Sequence, residues 1–168
     1  SFPSSIRLRW AGHPIYLFNG QVEDAQRMFD EIDKLTRGQQ WRYRSAADQI
    51  TLGRYFLRRG GDAKQVLEVF YDQVKKRQPT FAEAFLATGE LALAKGDYAL
   101  AADAYQQAVK LTPEDPQVHL GLARSYRPSD AEAAETAIAT ALYGTRQKVA
   151  NLLLMVDQTV DSELYDQA

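Results

Sequence analysis

Residues 82–115 read AEAFLATGELALAKGDYALAADAYQQAVKLTPED, and this stretch decides the fold. From Ala82 to Lys95, Phe85, Leu86, Leu91 and Leu93 are set among alanines with no internal proline, which predicts a helix. Gly96-Asp97 interrupts it, and from Tyr98 to Leu111 apolar residues return at three- and four-residue steps. Two helices joined by so short a turn pack antiparallel. Gly89 and Ala101 lack bulk and let the backbones approach, while Tyr105, Ala108 and Leu111 present one stripe on the second helix. Thr112 is then expected to cap a following helix, with Pro113 at its first position.

The unit recurs. Ala134, Ile138 and Ala141 follow Ala101, Tyr105 and Ala108 at a distance of 33. Residues 116–126, with Leu120, Leu122 and Ala123, supply the paired first helix. Pro128-Ser129-Asp130 stands in for the Gly-Asp turn, and Ser129 with Glu132 has capping-box spacing. A further unit opens near Val149 with Leu152, Met155 and Val156, and the sequence stops just inside its second helix. Upstream, Ile50, Leu52-Gly53 and Phe56 lead to Gly60-Gly61-Asp62, then Val66 and Phe70. That unit holds about two inserted residues and places Gln73 where a small residue is usual. Gln21–Leu35 reads as a second helix with Val22, Ala25, Phe29, Ile32 and Leu35. Its expected partner contains Gly12-His13-Pro14, which argues against one smooth helix, and Ile6 to Trp10 alternates like a strand. Residues 1–19 are therefore expected to be irregular.

In residue type and spacing, Phe85, Gly89, Gly96-Asp97-Tyr98, Ala101, Tyr105, Ala108, Leu111 and Pro113 resemble the tetratricopeptide repeat family. The resemblance covers roughly residues 15–168, with a repeat domain at 20–168 and units at about 46–81, 82–115 and 116–148 plus a partial 149–168. It implies an all-α, right-handed superhelical solenoid of antiparallel helix hairpins. About three repeats are complete, with an irregular N-terminal and a truncated C-terminal unit. Such repeats line a concave groove with the first helix of each pair and bind a peptide, a helix or a neighbouring domain, without chemistry of their own. More loosely, the chain is similar to repeat regions of larger multidomain bacterial proteins, some with a zinc metallopeptidase domain. That likeness leaves an alternative function: positioning substrate for a catalytic domain outside these residues.

Carried across the repeat register, the groove positions are Ile50, Arg54 and Leu57, with Arg58 beside them, on one inner helix. Glu83, Leu86, Glu90 and Leu93 lie on the next, and Gln117, Leu120, Arg124 and Arg127 on the third. Leu153 and Asp157 belong to the incomplete unit. Family members that grip the C-terminal carboxylate of heat-shock chaperones use a Lys and an Asn four residues apart on inner helices. The equivalent pairs here are Ile50/Arg54, Leu86/Glu90, Leu120/Arg124 and Leu153/Asp157, so that clamp is missing. An apolar floor with alternating charge suits an extended or helical peptide with apolar anchors.

The rest of the chain gives chemistry little footing. Cysteine is absent, and His13 and His119 belong to no ligand-spaced cluster, so neither cofactor nor metal is expected. His119 reads as a packing residue and His13 as a loop residue. Gly60-Gly61-Asp62 and Gly96-Asp97 lack phosphate-loop spacing and a preceding strand. These features point to a protein that is not an enzyme. No run of apolar residues is long enough to span a membrane. Residues 1–60 carry ten Lys/Arg against six Asp/Glu, and residues 61–168 ten against sixteen, a split that suggests opposite electrostatic ends. A pI near 5.7 disfavours nucleic acid. The basic and aromatic residues Trp41, Arg42, Tyr43, Arg44, Arg54, Arg58 and Arg59 read chiefly as a solvated helix whose rings face the core. Finally, Asn151 to Val156 is strongly apolar, and a solenoid needs its last apolar face covered. A longer parent chain, a second copy forming a dimer, or a partner helix are the expected covers.

Overall fold

The computed structural model describes residues 4–38, 42–146 and 149. All regular structure among them is helical. The chain comprises two compact units, Ser1–Thr88 and Gly89–Ala168, each described by itself.

In the first unit, α1 (Ile6–Phe18) and α2 (Val22–Thr36) form one hairpin, and α3 (Ala46–Arg58) begins the next. Its second helix, α4, changes register along its length: α-helical at Ala63–Val66, a π turn over Leu67–Tyr71, then α-helical again at Asp72–Arg77. α5 (Ala82–Ala94) carries the boundary between the units, and α6 (Tyr98–Leu111), α7 (Pro116–Tyr126) and α8 (131–146) follow.

Three hairpins close by the same mechanism. After α1, α3 and α5 the chain enters the left-handed region at Gly20, Gly60 and Gly96, with φ of 75°, 84° and 74°. There only glycine escapes the Cβ penalty. The next N–H then reaches back to the last turn: Gln21 to the Tyr16 carbonyl, Gly61 to that of Phe56, and Asp97 to that of Ala92, at 2.8, 2.8 and 2.9 Å. This paired closure satisfies carbonyls that a helix end otherwise leaves orphaned. Aspartates open the following helices. Asp62, Asp97, Asp115 and Asp130 accept from the N–H of Gln65, Leu100, Gln117 and Ala133 at 2.7–3.0 Å. Each such cap stabilises by about 1 kcal/mol. Two caps differ from expectation: the first-position proline is Pro116 after Asp115, not Pro113 after Thr112, and Asp130 rather than Ser129 caps α8.

From each cap the buried positions fall at the same offsets. In α6 they are Ala101, Tyr105 and Ala108, four, eight and eleven residues after Asp97. In α2 they are Ala25, Phe29 and Ile32, counted from Gln21, and all three are buried. In α4 the set is Val66, Tyr71 and Val74, and here the π turn adds one residue. The two insertions in this hairpin are thus Gly61 in the connection and one residue within Leu67–Tyr71. The expected alignment on Phe70 and Gln73 is corrected accordingly: Tyr71 and Val74 occupy the packed face, while Gln73 is exposed.

A second correction concerns residues 1–19. Ile6–Phe18 is one helix with Pro14 inside it. Proline there removes a hydrogen bond and crowds the preceding turn, at about 3 kcal/mol. Packing overrides that penalty. Ser5 caps the helix through the Leu8 N–H, Arg9 pairs with Glu31 at 2.6 Å, and Ile6 is completely buried with Phe29, Ile32, Tyr43, Leu52 and Tyr55. Tyr43 also donates to the Ser4 carbonyl at 3.1 Å, pinning the start of the segment.

Candidate functional site

What each helix can offer a ligand depends on which face its hairpin consumes. In α3, Gly53 receives the Tyr71 ring so closely that no side chain fits between them, and in α5 Gly89 receives the Tyr105 ring, 2.6 Å from where a methyl carbon would stand. Seven residues before the closing glycine is therefore the contact position of each first helix: Gly53 before Gly60, Gly89 before Gly96, and His13 before Gly20. His13 is not a loop residue. Its imidazole stacks flat on Phe29, centroids 3.8 Å apart and planes 7° from parallel. A flat ring on a flat ring does there what glycine does in the other two hairpins. Burial and then the Arg58 guanidinium hold the His13 pKa below its ordinary value.

The expected groove residues separate by environment. In the first unit Ile50, expected on the groove surface, is completely buried and belongs to the interior instead. Its neighbours Thr51, Leu52 and Gly53 are buried as well, since the middle of α3 is enclosed on more than one side. Arg54 reaches across to α5 and pairs with Glu83 at 2.7 Å, which joins two of the expected groove positions to each other. Leu57 and Leu86 are half-buried and Arg58 is exposed. In the second unit Glu90 is exposed and Leu93 half-buried, whereas Gln117, Leu120, Arg124 and Arg127 are all exposed along α7. Leu120 stands out as an apolar side chain 39% exposed among polar neighbours. Leu153, Asp157 and the apolar C-terminal run lie outside the described residues.

The basic and aromatic cluster disperses. Tyr43 turns into the core, Arg54 pairs with Glu83, and Arg59 lies 3.6 Å from Asp33. Trp41 lies outside the described residues. Burial, reinforced by Asp33, pushes the Tyr55 phenol up to about 12, and it donates to the Phe29 carbonyl at 3.4 Å. Such groups hold helices together.

In the second unit a cleft of about 490 Å³ opens beside His119, Tyr126, Asp130 and Thr136. Two of its ionisable groups are committed elsewhere: His119 Nε2 donates to the Pro113 carbonyl at 2.6 Å, and the Asp130 carboxylate caps Ala133. Neither is oriented as a base beside a nucleophile. Among the described residues no three His, Asp or Glu side chains converge as a metal site. No helix among them is long and apolar enough to cross a membrane.

Comparison with known proteins agrees with this geometry. Residues 89–127 match the family model described as TPR repeat. No curated protein sequence matches the chain. Similar solved structures include a crystal structure of MamA, with a TM-score of 0.58 and 15% identity over 88% of this chain and 82% of that one. A second MamA crystal structure gives 0.56 and 15% over 88% and 77%, and the structure titled MamA MSR-1 C2 gives 0.53 and 16% over 86% and 79%. At such identities the likeness speaks to fold alone. The matched segment coincides with the part of the chain where Tyr105 lies between Gly89 and Gly121. Residues 89–127 are thus similar to a tetratricopeptide repeat, and the described residues have an all-α fold of tetratricopeptide-type helical hairpins.

Proposed function

We propose that this chain is a non-catalytic interaction scaffold that holds a protein segment against the outward faces of its first helices, with repeat units at about 46–81, 82–115 and 116–148. The observation that carries the reading is α7. Its Gly121 side is consumed by Tyr105, yet Gln117, Leu120, Arg124 and Arg127 stay exposed on another face at three- and four-residue spacing. An exposed leucine beside two exposed arginines fits a peptide that presents an apolar anchor followed by acidic groups. Arg54 and Glu83, already paired and partly buried, contribute shape and rigidity to the first unit.

The test is binding of a peptide library in which apolar anchors are flanked by acidic or basic residues. Acidic-flanked peptides are expected to bind with marked salt sensitivity. Leu120→Asp or the pair Arg124→Glu and Arg127→Glu should reduce affinity about tenfold or more, since a central anchor carries on the order of 2 kcal/mol. Their helical circular dichroism should be unchanged, because all three side chains are exposed. A library in which no acidic-flanked peptide binds, or binders indifferent to all three substitutions, would overturn the assignment.

A further inference from the structure

Helix α1 is apolar on two opposite faces, and among the described residues only one of them is packed. Ile6, Trp10 and His13 pack inward, against α2 and the core around Phe29. On the other side Leu8, Ala11, Ile15 and Phe18 follow one another at steps of three, four and three. Leu8 is 57%, Ile15 60% and Phe18 92% exposed, and Val22 at the start of α2 is 64% exposed. A helix apolar all round is normally a buried helix. A contiguous apolar patch rimmed by polar groups marks an interaction surface.

The pattern of the patch identifies its occupant. Steps of three and four are the seam of a two-helix coiled coil. This seam is complementary to itself when reversed. In an antiparallel crossing centred at position 13, Leu8 meets Phe18 of the second copy, and Ala11 meets its Ile15, so a small residue faces a large one in the inner layers. The charges agree with the same direction. Arg7, exposed at the edge of the patch, falls beside the C-terminal end of the other α1, where the helix dipole is negative and where the exposed Glu23 opens α2. A parallel crossing would set Arg7 against Arg7 and Phe18 against Phe18. We propose that the outer face of α1 pairs with the same face of a second copy of this chain in an antiparallel, two-fold contact. An isologous contact of this type closes on itself and yields a dimer.

Sedimentation equilibrium of the full chain tests it. A concentration-dependent monomer–dimer equilibrium is expected, and Ile15→Asp should weaken it at least tenfold while leaving the far-ultraviolet circular dichroism unchanged, because that side chain already faces solvent. Direction is tested by charge exchange: Arg7→Glu and Glu23→Arg should each weaken the dimer, and together restore it. A chain that stays monomeric at all concentrations, as it would if a different protein or another helical segment covers this face, overturns the proposal. So does a dimer that survives Ile15→Asp, or charge exchanges whose effects merely add.

Discussion

The ring of Tyr105 lies across Gly121 so closely that a methyl group on that α-carbon would overlap it, and the same ring covers Gly89 on its other side. One second-helix aromatic therefore sets the spacing of two first helices, α5 and α7. Its hydroxyl-bearing ring is buried almost completely, as are Ala101 and Ala108 beside it. The repeat stacks here because the flanking helices have no side chain at the point of contact.

This relationship predicts that Gly121→Ala destabilises the protein even though alanine is the better helix former. Overpacking a tight site costs about 1–3 kcal/mol, against a helix-propensity gain of about 1 kcal/mol. A lowered urea midpoint is expected. The coupling is the sharper test: in a Tyr105→Leu background the same alanine should cost nothing or stabilise. If Gly121→Ala is as stable as the parent chain, the contact is not the constraint argued here.

The π turn in α4 makes a second prediction. Val69 lies within it and is exposed. Deleting Val69 would convert the π turn to ordinary α-helix and set Tyr71 four residues after Val66, the spacing that separates Ala101 from Tyr105. The shortened chain should fold, with Tyr71 still over Gly53 and a melting temperature within a few degrees of the parent, a change of about 1 kcal/mol or less. Deleting Gln106, equally exposed but in the regular helix α6, should instead rotate Ala108 out of the core and unfold the second unit. Equal losses of stability from the two deletions would show that the π turn holds no spare residue.

These cases explain what could be read from the sequence and what could not. The hairpin at 82–111 was legible because its turn, its small residues and its single buried aromatic each have one reading. In α4, Phe70 and Tyr71 are adjacent aromatics, so a one-residue shift leaves the hydrophobic pattern intact, and a π turn has no local signature to reveal the shift. In α1, Gly12-His13-Pro14 carries strong breaking signals, and only contacts distant in sequence, with Glu31, Phe29 and Tyr43, outweigh them. By sequence alone His13 therefore reads as loop, although its place seven residues before Gly20 matches that of Gly53 and Gly89 in their own hairpins. The groove fared unevenly for a related reason. Periodicity locates a helix face, but whether Ile50 on that face is covered, while Leu120 is not, depends on neighbours that periodicity does not name.

The stacked pair of His13 and Phe29 makes the protein sensitive to acid in a defined direction. Burial, and then the charge of Arg58, depress the His13 pKa below the ordinary 6.5. Below that value the unfolded chain binds a proton that the folded hairpin resists, so the unfolded state is the more protonated and stability falls with falling pH. The loss begins as the pH drops through about 6.5 and levels off once the pH is below the depressed pKa of the folded state. His13→Phe keeps a flat ring on Phe29 but does not titrate. Urea unfolding followed at pH 7.5 and 5.5 should show a larger drop for the natural chain than for the phenylalanine variant, and the gap should narrow when Arg58 is replaced by alanine. If the two chains lose stability in parallel, His13 carries its proton as readily folded as unfolded, and it is not held neutral by the α1–α2 contact.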